Sequence, residues 1–127
     1  MNNRYLLVAD NNISTRSFLQ ETLQKAGYET KSVASGDECL RLSFSNERPS
    51  LIILGWQMPV LTGLEILTLL KVDERSKSIP VIMVSTEQGD EEQALNTGAY
   101  VLLTKPLAID SLLLHVQGAL RLEEPRL

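Results

Sequence analysis

The regular alternation of short β-rich runs with longer segments of helical period constrains this chain more than any other feature. Tyr5–Ala9, Thr30–Val33, Leu51–Leu54, Val81–Val84 and Tyr100–Leu103 read as five strands. Three of these runs are nearly continuous in apolar residues. A strand with one wet face alternates apolar and polar side chains, so a run without alternation is buried on both faces. That condition is met by a parallel sheet with helices on each side, and the expected class is a doubly wound α/β fold.

The intervening segments carry their own start and stop signals. Thr15, Leu19, Leu23 and Ala26 mark one helical face, and Gly27 follows as the expected C-terminal cap. Ser35-Gly36-Asp37-Glu38 and Thr62-Gly63-Leu64-Glu65 have capping-box form, in which the hydroxyl accepts from a first-turn amide and the glutamate reaches back to the cap. The last helix places Leu112, Leu113, Val116, Ala119 and Leu120 on one face. With 127 residues the chain is the size of one domain, expected over 1–122, with 123–127 as a terminal tail or the start of a linker.

Composition narrows the function classes. Sixteen acidic against twelve basic residues give a net charge of −4 with no Lys/Arg stripe, which argues against direct nucleic-acid binding and for a protein partner. Cys39 is the single cysteine and falls among apolar residues of a helix, so it reads as a buried structural thiol suited to a reducing cytoplasm. No apolar run approaches the roughly 18 residues of a membrane span, and the polar start Met1-Asn2-Asn3-Arg4 lacks a signal-peptide core. The expected location is cytoplasmic, with no membrane partner. His115, the one histidine, has no ligand at metal-binding spacing and reads as an ordinary helix residue.

Tyr5-Leu6-Leu7-Val8-Ala9-Asp10-Asn11, the stretch from Pro49 through Gly63 with Leu64-Glu65, and Leu103-Thr104-Lys105-Pro106 occur in that order along the chain. Together they closely resemble the receiver domain of response regulators in two-component signalling, and the resemblance covers nearly the whole chain. It implies the CheY-like, flavodoxin-like (βα)5 three-layer sandwich, with a five-stranded parallel sheet in the order 2-1-3-4-5. The site then belongs in the crevice beyond the carboxyl ends of the strands. In working members, two acidic residues after the first strand and an acceptor aspartate after the third hold magnesium, and that aspartate takes phosphate from a histidine kinase.

Residue by residue, the match is partial. Asp10 stands at the first acidic position, Asn11 at the second and Gly55 at the acceptor, so one carboxylate of three remains. The Gln57 carbonyl, which would also face the ion, cannot replace lost charge. Two unit charges about 4 Å apart interact by roughly 4 kcal/mol at an effective dielectric near 20, so magnesium is expected weakly if at all, Asp10 and Asn11 being its weak candidates. Ser85 matches the hydroxyl after the fourth strand, and Lys105 matches the lysine after the fifth, groups that both take phosphoryl oxygens in the family this chain resembles. Without phosphate to bind, Ser85 is expected to be a strand-end residue bonding local backbone. Charge balance predicts that Lys105 turns to Asp10, the one formal anion left in the motif. The resemblance also implies a cis Lys105-Pro106 bond.

The output surface is altered as well. Leu102 stands where the family carries an aromatic three residues before the lysine. Strand alternation would place Tyr100 on the same face as Leu102. Thr86 lies beside Ser85, and the fourth helix region, Glu87 to Thr97, is about two residues shorter than the usual family spacing. Trp56, next to Gly55, reads either as an ordinary loop aromatic or as a ring folded over the vacated space.

Three readings follow. The leading one is a degenerate receiver, a pseudo-receiver that is not an enzyme and serves as a phosphorylation-independent interaction module whose partner is a signalling protein such as a kinase or an output domain. The second is a phosphorylation-dependent regulator in which Gly55 replaced an acceptor aspartate or the acceptor lies elsewhere. The third is a small-cofactor binder of flavodoxin-like fold, for which Asp10-Asn11-Asn12-Ile13-Ser14 lacks the glycine-containing phosphate cradle.

Overall fold

The computed structural model describes residues 4–121. The boundary at residue 122 and the tail 123–127 lie outside the described residues. The chain runs β1 (Leu6–Ala9), α1 (Ile13–Lys25), β2 (Thr30–Val33), α2 (Gly36–Ser43), β3 (Leu51–Gly55), α3 (Gly63–Val72), β4 (Val81–Ser85), a 3-10 turn (Gln88–Asp90), α4 (Glu91–Thr97), β5 (Val101–Thr104) and α5 (Ile109–Arg121). The strands are parallel in the order β2-β1-β3-β4-β5. This is the doubly wound sheet that the apolar runs imply.

Alternation along each strand sorts the core into two layers. Leu6, Val8, Ile53 and Val84 face α1 and α5, where they meet Leu19, Leu23, Leu112, Val116 and Ala119. Leu7, Ala9, Ile52, Leu54, Met83 and Leu102 face α2, α3 and α4, where they meet Cys39, Ile66, Leu67, Leu70 and Ala94. Residues Leu51 to Leu54 are almost wholly excluded from water. Each such side chain contributes roughly 1.5–3 kcal/mol of transfer free energy, which makes β3 the spine of the domain. Burial pushes the Cys39 thiol up to about 12, so it is a neutral core group.

Two expected features are corrected. Ala26 is exposed, because α1 ends at Lys25 and Ala26 is the cap residue. Gly27 then takes φ +99°, and the Gly27 and Tyr28 amides return to the Gln24 and Leu23 carbonyls at 3.0 Å each. The α2 start has half of a capping box: Ser35 Oγ accepts from the Glu38 amide, but Glu38 takes the Ser35 hydroxyl proton in place of the Ser35 amide. At α3 the box is complete, with Glu65 N to Thr62 Oγ1 at 3.1 Å and Thr62 N to Glu65 Oε1 at 2.9 Å.

The loop before α3 is tightly built. Gly63 donates to the Trp56 carbonyl at 2.9 Å, and a Cβ on Gly63 would collide with the Gly55 carbonyl oxygen and come within 2.9 Å of Trp56 Cα. Only glycine lets the helix start approach the end of β3 so closely. Between them, Leu61 N–H bonds the Pro59 carbonyl at 2.8 Å and closes a three-residue γ-turn centred on Val60, with φ +69°. A β-branched residue is strained there, and Val60 is 97% exposed, so packing offers nothing in return. Val60→Gly is expected to stabilise the domain by about 1 kcal/mol in urea unfolding, since relief of strain exceeds glycine's added chain entropy. A lowered midpoint at unchanged slope would contradict this account of the turn.

Candidate functional site

The carboxyl ends of β1, β3, β4 and β5 open on a cleft of about 410 Å³ lined by Asp10, Asn11, Trp56, Gln57, Ser85 and Lys105, among others. Thr86 stands exposed at its lip. A larger cavity, about 580 Å³, lies at the amino ends of the strands among Arg4, Lys31, Arg48, Glu29, Glu47 and Glu74. Its lining mixes cations with carboxylates, and none of the candidate site residues falls in it. The cleft is therefore the site to be explained.

Register determines which residues meet there. Ala9 pairs with Leu54, so Asp10, just past β1, stands level with Gly55, the last residue of β3. The Asp10 carboxylate leans across that position: a Cβ at residue 55 would lie 2.7 Å from Asp10 Oδ2 and 3.0 Å from Asp10 Cγ. Asp10 Oδ1 accepts from the Asn12 amide at 2.9 Å, and the Asp10 carbonyl accepts from Arg16 Nη1 at 2.8 Å. Asn12 in turn caps α1 through the Thr15 amide.

Lys105 reaches the same carboxylate. Its Nζ lies 3.6 Å from Asp10 Oδ2, with the aspartate side chain 4% exposed and the lysine 27%. The spacing is that of an ion pair just beyond hydrogen-bond length. This is the pairing that charge balance predicts. The Lys105-Pro106 bond is cis.

Ser85 is buried at the end of β4, where the expected local backbone bond is present and a side-chain carboxylate is added to it. Its Oγ accepts from the Glu87 amide at 3.0 Å and donates to Asp90 Oδ2 at 2.7 Å, while its carbonyl accepts from the Lys105 amide at 2.7 Å. Asp90 is the residue that sequence reasoning missed. It falls in the segment read as one helical region, which is a 3-10 turn followed by a seven-residue α4. The one available signal was a short acid in front of Glu91-Glu92, a composition that ordinarily means no more than a helix start.

Of the remaining residues, Trp56 is half-buried, lines the cleft, packs toward the α2–α3 side of the core and bonds the Val84 carbonyl through its own amide at 2.8 Å. Asn11 is exposed. Tyr100 does not share the environment of Leu102. Leu102 is buried on the α4 side, whereas a Cβ on Gly118 of α5 would lie 2.5 Å from the Tyr100 hydroxyl. Tyr100 directly precedes β5, its amide bonded to the Val81 carbonyl at 2.8 Å, and β5 is an edge strand around which a long ring can reach the other layer. His115 Nδ1 is satisfied by the Ser111 carbonyl at 2.7 Å.

Residues 6–117 match the family model of the response regulator receiver domain. The chain belongs to the response regulator receiver family. It is 34% identical over 111 residues to the polar-differentiation response regulator DivK of Brucella ovis, covering 86% of this chain and 89% of that one. Among solved structures, the receiver domain of the Francisella response regulator 1452 superposes with a TM-score of 0.86 at 28% identity, covering 96% of this chain and all of the other. The chemotaxis response regulator CheY4 of Vibrio cholerae superposes at 0.83 with 32% identity, covering 91% and 98%. The protein is thus a receiver domain of two-component signalling, and proteins of this family act with signalling partners. Among the described residues, no helix is long and apolar enough to cross a membrane, and no group of three or more His, Cys, Asp or Glu side chains is gathered as a metal site.

The receiver's Asp10–Lys105 pair should carry measurable coupling. Lys105→Met leaves a buried carboxylate with one amide donor, and is expected to cost about 1–3 kcal/mol. A double-mutant cycle with Asp10→Asn should return about 1 kcal/mol of favourable coupling in urea titrations. Additive single effects would mean that the two charges are neighbours without being partners.

Proposed function

We propose that this receiver has lost phosphoryl chemistry and serves two-component signalling as a phosphorylation-independent protein–protein interaction module. The observation that carries the reading is the residue at the end of β3: Gly55 has no nucleophile, and the Asp10 carboxylate lies across the position that an acceptor side chain would leave through. A nucleophilic step requires an attacking atom, and positioning alone cannot replace it. The domain is accordingly not an enzyme in this reading, and its partner is a kinase, an output domain or another signalling protein.

The donor set also fits magnesium poorly. Asp10 is the one carboxylate of the motif and is engaged by Lys105 and the Asn12 amide; Asn11 is neutral, and residue 55 supplies no side-chain oxygen. A hard dication held by this family needs several anionic oxygens at once. The reading is supported further by Ser85 and Lys105, the phosphoryl-binding groups of the motif, each of which faces a carboxylate of the chain itself.

Incubation with acetyl phosphate and magnesium, followed by intact-mass analysis, is expected to show no phosphoryl adduct. A hydroxylamine-labile adduct would overturn the proposal and favour an acceptor elsewhere in the chain. Gly55→Asp alone is expected to phosphorylate slowly at best, because the new side chain must displace Asp10 and Asn11 still leaves the metal shell one carboxylate short. Phosphorylation of that single variant at an ordinary receiver rate would instead point to loss of the acceptor by substitution in an otherwise competent site.

A further inference from the structure

We propose that Asp90 is an internal latch on Ser85, holding the segment between β4 and α4 in one arrangement. The inference rests on the proposed function and deepens it by naming what keeps the output side of this domain in a single state. Ser85 Oγ carries one proton, and that proton is given to Asp90 Oδ2 at 2.7 Å. The same oxygen accepts from the Glu87 amide at 3.0 Å, and the Ser85 carbonyl holds the Lys105 amide at 2.7 Å. One residue thus ties the β4–α4 segment to the start of the β5–α5 loop.

The position of Asp90 makes this arrangement notable. It ends the 3-10 turn and enters α4 with helical φ −83° and ψ −7°, and its side chain makes no capping hydrogen bond. Side-chain capping needs an extended backbone at the cap residue, so this helical conformation leaves the carboxylate to find its partner outside α4. Here the carboxylate is turned away from its own helix and toward the strand end. The hydroxyl cannot donate to Asp90 and to an incoming anion at the same time, and a carboxylate beside it repels that anion. With Lys105 facing Asp10, both phosphoryl-binding groups of the motif are occupied from within.

The consequence reaches β5. The 3-10 turn that ends at Asp90 leads directly into α4, whose Ala94 packs with Leu102 in the layer beneath. Fixing Ser85 and Asp90 therefore fixes where α4 sits against β5. The latch makes Asp90 a positioning residue and assigns it no contact with a ligand.

Amide hydrogen exchange of the whole chain, read by NMR with no phosphodonor present, tests the proposal. Asp90→Ala is expected to speed exchange of the Glu87 amide by about tenfold or more, while amides of β1 and β3 keep their wild-type protection. Asp90→Asn, whose side-chain oxygen still accepts from the hydroxyl, should stay within about threefold of wild type. Ser85→Ala should loosen the same segment, and Asp90→Ala added to it should bring no further change. Unchanged protection at Glu87 in Asp90→Ala, loosening that extends equally to β1 and β3, or a further effect in the Ser85→Ala background would each overturn the latch. None of these readouts depends on phosphate. A failed latch therefore leaves the proposed function standing, and a phosphoryl adduct in the mass experiment would refute that function without reference to Asp90.

Discussion

A carboxylate buried at the end of two neighbouring strands cannot be left without partners, and the geometry of this cleft follows from that requirement. Asp10 is held almost dry, because β1 lies between β2 and β3 and its end is walled on both sides. Its charge is met by the Asn12 amide on one oxygen and by Lys105 on the other. The absence of a side chain at residue 55 is what lets the carboxylate lie where it does. In a low-dielectric cleft the alternative, a lone buried anion, is far more costly than the entropy of ordering one lysine.

The rest of the architecture brings these groups together without otherwise specifying their chemistry. Two apolar layers clamp the sheet, and each strand contributes alternately to both. The polar groups are confined to the carboxyl ends, where loops have the freedom to carry them. Those loops are built from backbone-directed side chains: Asn12 and Thr62 cap helices, Gly63 permits close approach to β3, and Arg16 ties down the Asp10 carbonyl. The hydrophobic effect is non-directional and sets the layers, whereas hydrogen bonds and charges select one arrangement at their edge.

The contrast between the two anion-binding remnants is instructive. Lys105 could be paired with Asp10 from charge balance, because the motif offers few formal charges and a cation in a crevice needs one of opposite sign. Ser85 could not be paired with Asp90 in the same way. A neutral hydroxyl makes no electrostatic demand, so its partner depends on where the 3-10 turn places a carboxylate. Tyr100 shows the same limit: alternation holds within a pleated strand, and Tyr100 stands just before β5, where the edge lets its hydroxyl reach α5 near Gly118.

The strands, the burial of β1, β3 and β4 on both faces, the helix starts at Ser35 and Thr62, and the absence of a carboxylate at position 55 were all determined by the order of residues alone. Each rests on local chemistry: apolar periodicity, capping spacing and side-chain identity. What the tertiary structure decided is which groups meet across the strand ends. It set the Asp10 carboxylate over Gly55, turned Asp90 from its own helix to Ser85, and separated Tyr100 from Leu102. Such pairings join residues brought close by the strand order 2-1-3-4-5 and by the course of a short irregular turn, and their energies depend on distances and exclusion of water that no stretch of sequence carries by itself.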